Sequence, residues 1–79
     1  MIDIVNAPLH YNQYEIEPKE FIIRNKLTFE VGNIVKYAVR AGSKQYQNQT
    51  RDESEIIDLE KAIRYAQMKI NLILGEHEL

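Results

Sequence analysis

Apolar residues are irregularly spaced over the first 17 positions, cluster at Phe21-Ile22-Ile23, and then recur with helical spacing almost to the end of the chain. In the opening segment Tyr11, Tyr14 and Ile16 alternate with polar residues, and Asn6-Ala7-Pro8 is turn-like, so residues 1–17 read as an extended arm. Pro18 suits the first turn of a short helix, with Glu17 and Glu20 at its positive end and Asn25 to stop it. Thr28 is placed to cap a second helix, whose stripe is Val31, Ile34, Val35 and Ala38, and Gly42 suits its C-terminal exit. The Gln- and Asn-rich stretch 43–50 reads as an exposed, mobile loop. A third helix is predicted to begin near Asp52 or Ser54 and to end near Leu74-Gly75. Along it Ile56, Leu59, Ile63, Ala66, Ile70 and Ile73 are spaced alternately three and four apart, a heptad stripe.

This pattern predicts an all-α fold: two short helices and one long C-terminal helix with an extended N-terminal arm, in a single domain over residues 1–79. A helix of roughly 20 residues is about 30 Å long, too long for one short partner to cover. The chain has 79 residues, 44% of them hydrophobic, and no cysteine. A domain of this size has a marginal core, and disulfides and thiolate metal sites are excluded. Homo-oligomerisation is the expected remedy, with the heptad stripe as its surface. Replacing Ile63 and Ile70 with Asp is then expected to dissociate or unfold the protein. No apolar run reaches the roughly 18 residues of a membrane span, and the N-terminus has neither the basic nor the apolar region of a signal peptide. A soluble intracellular protein without membrane contact is expected.

The formal net charge of -2 gives no general nucleic-acid signal, and no direct DNA or RNA binding is expected. It conceals a division, however. Residues 1–18 sum to -3, residues 19–51 to +5 and residues 52–79 to -4. Within the basic stretch, helical spacing puts Asn33, Lys36, Tyr37 and Arg40 on one face opposite the apolar stripe, with Lys44 just beyond the helix end. Arg offers a planar fork to a phosphate, Lys a point charge, and Tyr a ring or a hydrogen bond. Gly32 would let a ligand or another helix approach closely. The competing reading is a solvated basic face paired with acidic residues of the third helix.

On that third helix Asp58, Ala62 and Tyr65 share a face flanking the heptad stripe, from which Asp58 can orient Lys36 or Arg40. In the arm, His10 and Tyr11 are adjacent, and the imidazole suits phosphate contact or proton exchange. Asp52, Glu53 and Glu55 read as solvated carboxylates at a helix start, so no metal site is expected. No Walker loop, His-Glu-x-x-His or nucleophile elbow is present, and no cofactor is expected.

Four ordered elements resemble a known family. They are Asn6-x-Pro8-x-His10-Tyr11, Ile16-Glu17-Pro18, Gly32-Asn33-x-x-Lys36-Tyr37-x-x-Arg40-Ala41-Gly42-x-Lys44, and Asp58-Leu59-x-Lys61-Ala62-x-x-Tyr65. Together they are similar to small phage-encoded proteins catalogued as a domain of unknown function and as phage nucleotide kinases. The resemblance implies a phage origin, hence the cytoplasm of an infected bacterium, a homo-oligomer, and a nucleotide or cyclic nucleotide ligand. The chain departs from the family pattern at Asn12-Gln13-Tyr14-Glu15, where a glycine-containing turn is usual, and in the loop after Lys44.

Three functions fit these residues. The first is an oligomer that sequesters a phosphorylated nucleotide, such as a host immune signal, at sites between subunits. The second is a metal-independent nucleotide kinase using Lys36, Arg40 and Lys44 for charge, with Asp58 or His10 as base. The third is a helical interaction protein without a nucleotide ligand. On the first two, Arg40→Ala is expected to weaken binding while leaving the fold intact.

Overall fold

The computed structural model of the chain describes residues 14–75. Three helices follow in order: α1 (Pro18–Arg24), α2 (Phe29–Arg40) and α3 (Arg51–Ile73). The fold is all-α among the described residues, with two short helices before a long one, as the periodicity predicts. Most of the expected arm lies outside the described residues.

Local chemistry sets the helix ends. Pro18 begins α1 after an extended Glu17, and Glu20 and Arg24 complement the dipole at either end. Beyond Asn25, the Leu27 N–H donates to the Ile22 carbonyl and the Lys26 N–H to the Ile23 carbonyl, both at 3.1 Å. This Schellman arrangement holds Lys26 at φ 54°, a conformation that suits glycine better. Thr28 caps α2 by accepting from the Val31 N–H at 3.3 Å, and Gly42 follows the helix at φ 87°.

Helix α3 starts a little before the position expected from sequence. Thr50 is its cap: Thr50 Oγ1 accepts from the Glu53 N–H at 3.0 Å while Glu53 Oε1 accepts from the Thr50 N–H at 2.7 Å. This reciprocal capping box takes Thr50 out of the polar loop to which composition assigned it. The loop itself is folded rather than loose. The Tyr46 N–H donates to Ser54 Oγ at 2.9 Å, the Gln49 N–H to the Tyr46 carbonyl at 3.2 Å, and Gln45 Nε2 to the Gln49 carbonyl at 3.0 Å.

Helices α2 and α3 pack antiparallel. At one end Phe29 meets Tyr65 edge-on at 5.8 Å between centroids, and Lys69 Nζ lies 3.5 Å from Glu30 Oε1. At the other end Arg40 Nε lies 3.5 Å from Asp58 Oδ1. Helix α1 crosses α2 at Gly32, where an added Cβ would stand only 2.8 Å from Ile22 Cγ2. The close approach anticipated at Gly32 is therefore that of another helix. Tyr14 ties the segment before α1 to the end of α2, its hydroxyl donating to the Val39 carbonyl at 3.1 Å.

The apolar face of α2 differs from the expected stripe of Val31, Ile34, Val35 and Ala38. Val35 and Val39 of α2 line a shallow apolar groove with Tyr14, Ile16, Pro18 and Phe21, while Ala38 is exposed. The polar side of α2, carrying Tyr37 and Arg40, turns to α3, where Arg40 meets Asp58 and Tyr37 stacks on Tyr65. The reason is geometric: α2 lies between α1 and α3 and has to cover a neighbour on each side. The consequence for the core is unusual. Among the described residues no apolar side chain is fully buried, and the two side chains that are fully buried, Ser54 and Asp58, are polar.

Candidate functional site

The site is built where the end of α2, the loop 43–50 and the first half of α3 converge. Its anchor is Asp58, which has no exposed surface. A carboxylate without access to water needs donors and a counter-charge. The Tyr46 hydroxyl donates to Asp58 Oδ1 at 2.5 Å, and Arg40 Nε approaches the same oxygen at 3.5 Å. Arg40 reaches further, its Nη2 donating to the Tyr46 hydroxyl at 2.9 Å. Lys61, one turn along α3 from Asp58, donates to that hydroxyl from Nζ at 3.3 Å. Neither Arg40 Nε nor Asp58 Oδ2 has a hydrogen-bond partner among the described residues.

Two tyrosine rings organise the remaining cations. The Arg40 guanidinium lies 4.6 Å from the Tyr37 centroid, with Lys61 Nζ at 5.1 Å and Lys36 Nζ at 5.2 Å from the same centroid. Around Tyr46, Lys61 Nζ lies at 4.9 Å, Lys44 Nζ at 5.0 Å and Arg40 at 5.8 Å. Each such contact is worth about 0.5–1 kcal/mol where exposed. Tyr37 is itself held by stacking on Tyr65, with centroids 5.8 Å apart and the rings 7° from parallel.

Four cations, Lys36, Arg40, Lys44 and Lys61, thus surround two rings and a single buried carboxylate. Among the described residues only Arg40 of the four has a carboxylate within ion-pair distance. Charges of one sign gathered this way repel, and ring faces offset only part of that. The arrangement is suited chemically to an anion with several oxygens, which Lys36 and Lys44, both exposed, can reach from solvent. Among the described residues no group of three or more His, Asp or Glu side chains is placed to hold a metal ion.

Of the residues singled out from sequence, Lys36, Tyr37, Arg40, Lys44, Asp58 and Tyr65 come together here. Asn33 does not join them through its amide, which donates to the Phe29 carbonyl of its own helix at 2.8 Å. His10 and Tyr11 lie outside the described residues. Asp58 meets Arg40 across the two helices, one of the pairings for which its position was singled out. Arg40→Ala is therefore a structural change as well as a loss of charge, against the expectation that it leaves the fold intact. The stacked faces of Tyr37 and Tyr65 serve each other.

Two members are not among the site residues that spacing suggests. Tyr46 sits in a polar loop, where an isolated aromatic between Gln45 and Gln47 is the available signal. Lys61 stands at i+3 from Asp58 and therefore close to its face.

Fold and site together define a small three-helix protein that presents a cation–tyrosine cluster on a buried carboxylate. The chain belongs to the family described as a protein of unknown function, DUF3310, which matches residues 5–67. No curated protein and no solved structure matches the chain. No helix among the described residues is long and apolar enough to cross a membrane.

Proposed function

We propose that this protein binds a phosphorylated nucleotide at the cation–tyrosine cluster and sequesters it without turnover. One observation carries the reading: four cations converge on the rings of Tyr37 and Tyr46, and their only carboxylate partner within ion-pair distance among the described residues is the buried Asp58. Phosphate oxygens complement Lys36 and Lys44 directly, while Arg40 and Lys61 hold the Tyr46 hydroxyl and supply field. The nucleotide part of the ligand rests on the resemblance of the Gly32–Lys44 and Asp58–Tyr65 segments to phage nucleotide kinases, and a host signalling nucleotide belongs to that class. The described part of the cluster comes from one chain, so this reading does not depend on a pocket shared between subunits.

Sequestration is favoured over phosphoryl transfer because Asp58, the best-placed base, is fully buried and already accepts from Tyr46. The test is incubation of the protein with mono-, di-, tri- and cyclic nucleotides, then denaturation and chromatography of what is released. Recovery of bound, unchanged nucleotide is the expected result. A changed phosphate count would make the protein a kinase, and no retained nucleotide at all would leave the cluster as a purely structural device of an interaction protein.

A further inference from the structure

Helix α3 has two unlike faces, and among the described residues only one of them has a partner. Asp58, Lys61 and Tyr65 face α2, while the heptad stripe points the other way. Ile56, Leu59, Ile63, Ile70 and Ile73 remain 44–73% exposed, and Leu74 extends the strip. From Ile56 to Ile73 it runs about 26 Å. The described residues bury no apolar side chain fully, and this strip is a continuous apolar surface that they leave uncovered.

We propose that the stripe is covered by α3 of a second copy, running antiparallel about a two-fold axis between Ile63 and Ala66. Two properties of the stripe select this occupant and this direction. The first is packing. In an antiparallel pair with full overlap, Ile56 meets Ile73, Leu59 meets Ile70, and Ile63 meets Ala66 of the other copy. Each small Ala66 then faces a large side chain. A parallel pair in register sets Ala66 against Ala66 and leaves a gap in the middle of the seam.

The second property is charge. The first half of α3 is net acidic, with Asp52, Glu53, Glu55, Asp58 and Glu60 against Arg51 and Lys61, and the second half carries Arg64 and Lys69. A parallel pair aligns the acidic halves, sets Glu55 near Glu60 of the other copy, and aligns the helix dipoles. The antiparallel pair sets each acidic half beside the basic half of its neighbour. Arg64 is exposed and lacks a carboxylate within ion-pair distance among the described residues, so it adds to the positive charge of its half rather than making a defined contact across the seam. Lys69 is already held by Glu30 at 3.5 Å and contributes less. Because the seam is opposite α2, the pair carries its two cation–tyrosine clusters on its outer flanks.

The absence of cysteine from the chain makes the test clean. Ile56→Cys and Ile73→Cys are prepared singly and together, oxidised, and run under non-reducing denaturing conditions beside native mass spectrometry of the unaltered protein. The expected pattern is an even-numbered assembly of the unaltered protein, little covalent dimer from either single variant, and abundant dimer from the double variant or from the two singles mixed. Efficient self-linking of Ile56→Cys alone would establish a parallel seam and overturn the proposal. So would a monomeric unaltered protein, or an assembled double variant that fails to cross-link.

Discussion

Truncating Asp58 to alanine is expected to cost this protein a large part of its stability, although no apolar contact is removed. The carboxylate is fully buried, accepts from the Tyr46 hydroxyl at 2.5 Å and stands 3.5 Å from Arg40 Nε. Removing one partner of a buried ion pair typically costs about 3–5 kcal/mol, because the surviving charge keeps its desolvation without its compensation. The Arg40 side chain retains 25% exposure, so water recovers part of that loss. Losing an acceptor at Tyr46 adds a smaller amount. The net expectation is about 3 kcal/mol for Asp58→Ala, and about half that for Asp58→Asn, which keeps an acceptor for the phenol.

Urea denaturation followed by circular dichroism at fixed protein concentration reads the effect. With a slope of about 1 kcal/mol per molar for a small domain, the midpoint falls by roughly 3 M, or the variant is unfolded from the outset. Adding Arg40→Met to Asp58→Ala recovers part of the loss, because no unpaired charge then remains. If Asp58→Ala moved the midpoint by less than about 0.5 M, the picture of Asp58 as the strut between α2, α3 and the loop would be wrong.

Three further outcomes follow from particular contacts. Gly32→Ala sets a Cβ 2.8 Å from the stiff Cγ2 of Ile22, so a packing cost of about 1–3 kcal/mol outweighs the roughly 1 kcal/mol gained in helix propensity, and calorimetric melting should show net destabilisation. Lys26→Gly relieves a left-handed residue in the turn between α1 and α2 and raises stability by about 0.5–1 kcal/mol, read by the same melting experiment. Lys44→Ala changes the melting temperature little, since the lost contact with the Tyr46 ring is offset by relief of repulsion among the gathered cations, but weakens nucleotide binding about fivefold in titration at low salt.

Much of the fold was legible in the chain because its punctuation is local. Pro18, Thr28 and Gly42 act on backbone groups within a few residues, and each stands at the predicted helix end. The start of α3 was misplaced for a related reason: Thr50 and Glu53 form a capping box, but Thr50 resembles its polar loop in composition. The candidate site was half legible. Spacing grouped Lys36, Tyr37 and Arg40 and offered Asp58 of α3 as their partner, yet it left open whether this polar face is the seam with α3 or a solvated one. That depends on α1 occupying the other side of α2 through Gly32, a tertiary fact. Tyr46 was invisible to periodicity because a loop has none, and its place is set by hydrogen bonds to Ser54 and Asp58 in another element.

The account turns on whether the gathered cations recognise phosphate. Isothermal titration calorimetry of the unaltered protein, with matched pairs of nucleoside and nucleotide, measures this directly. Saturable heat is expected with nucleotides, falling as salt is raised, and none with the corresponding nucleosides. Equal binding of nucleoside and nucleotide, or no heat from any phosphorylated member of the panel, would contradict the claim that Lys36, Arg40, Lys44 and Lys61 form a phosphate site.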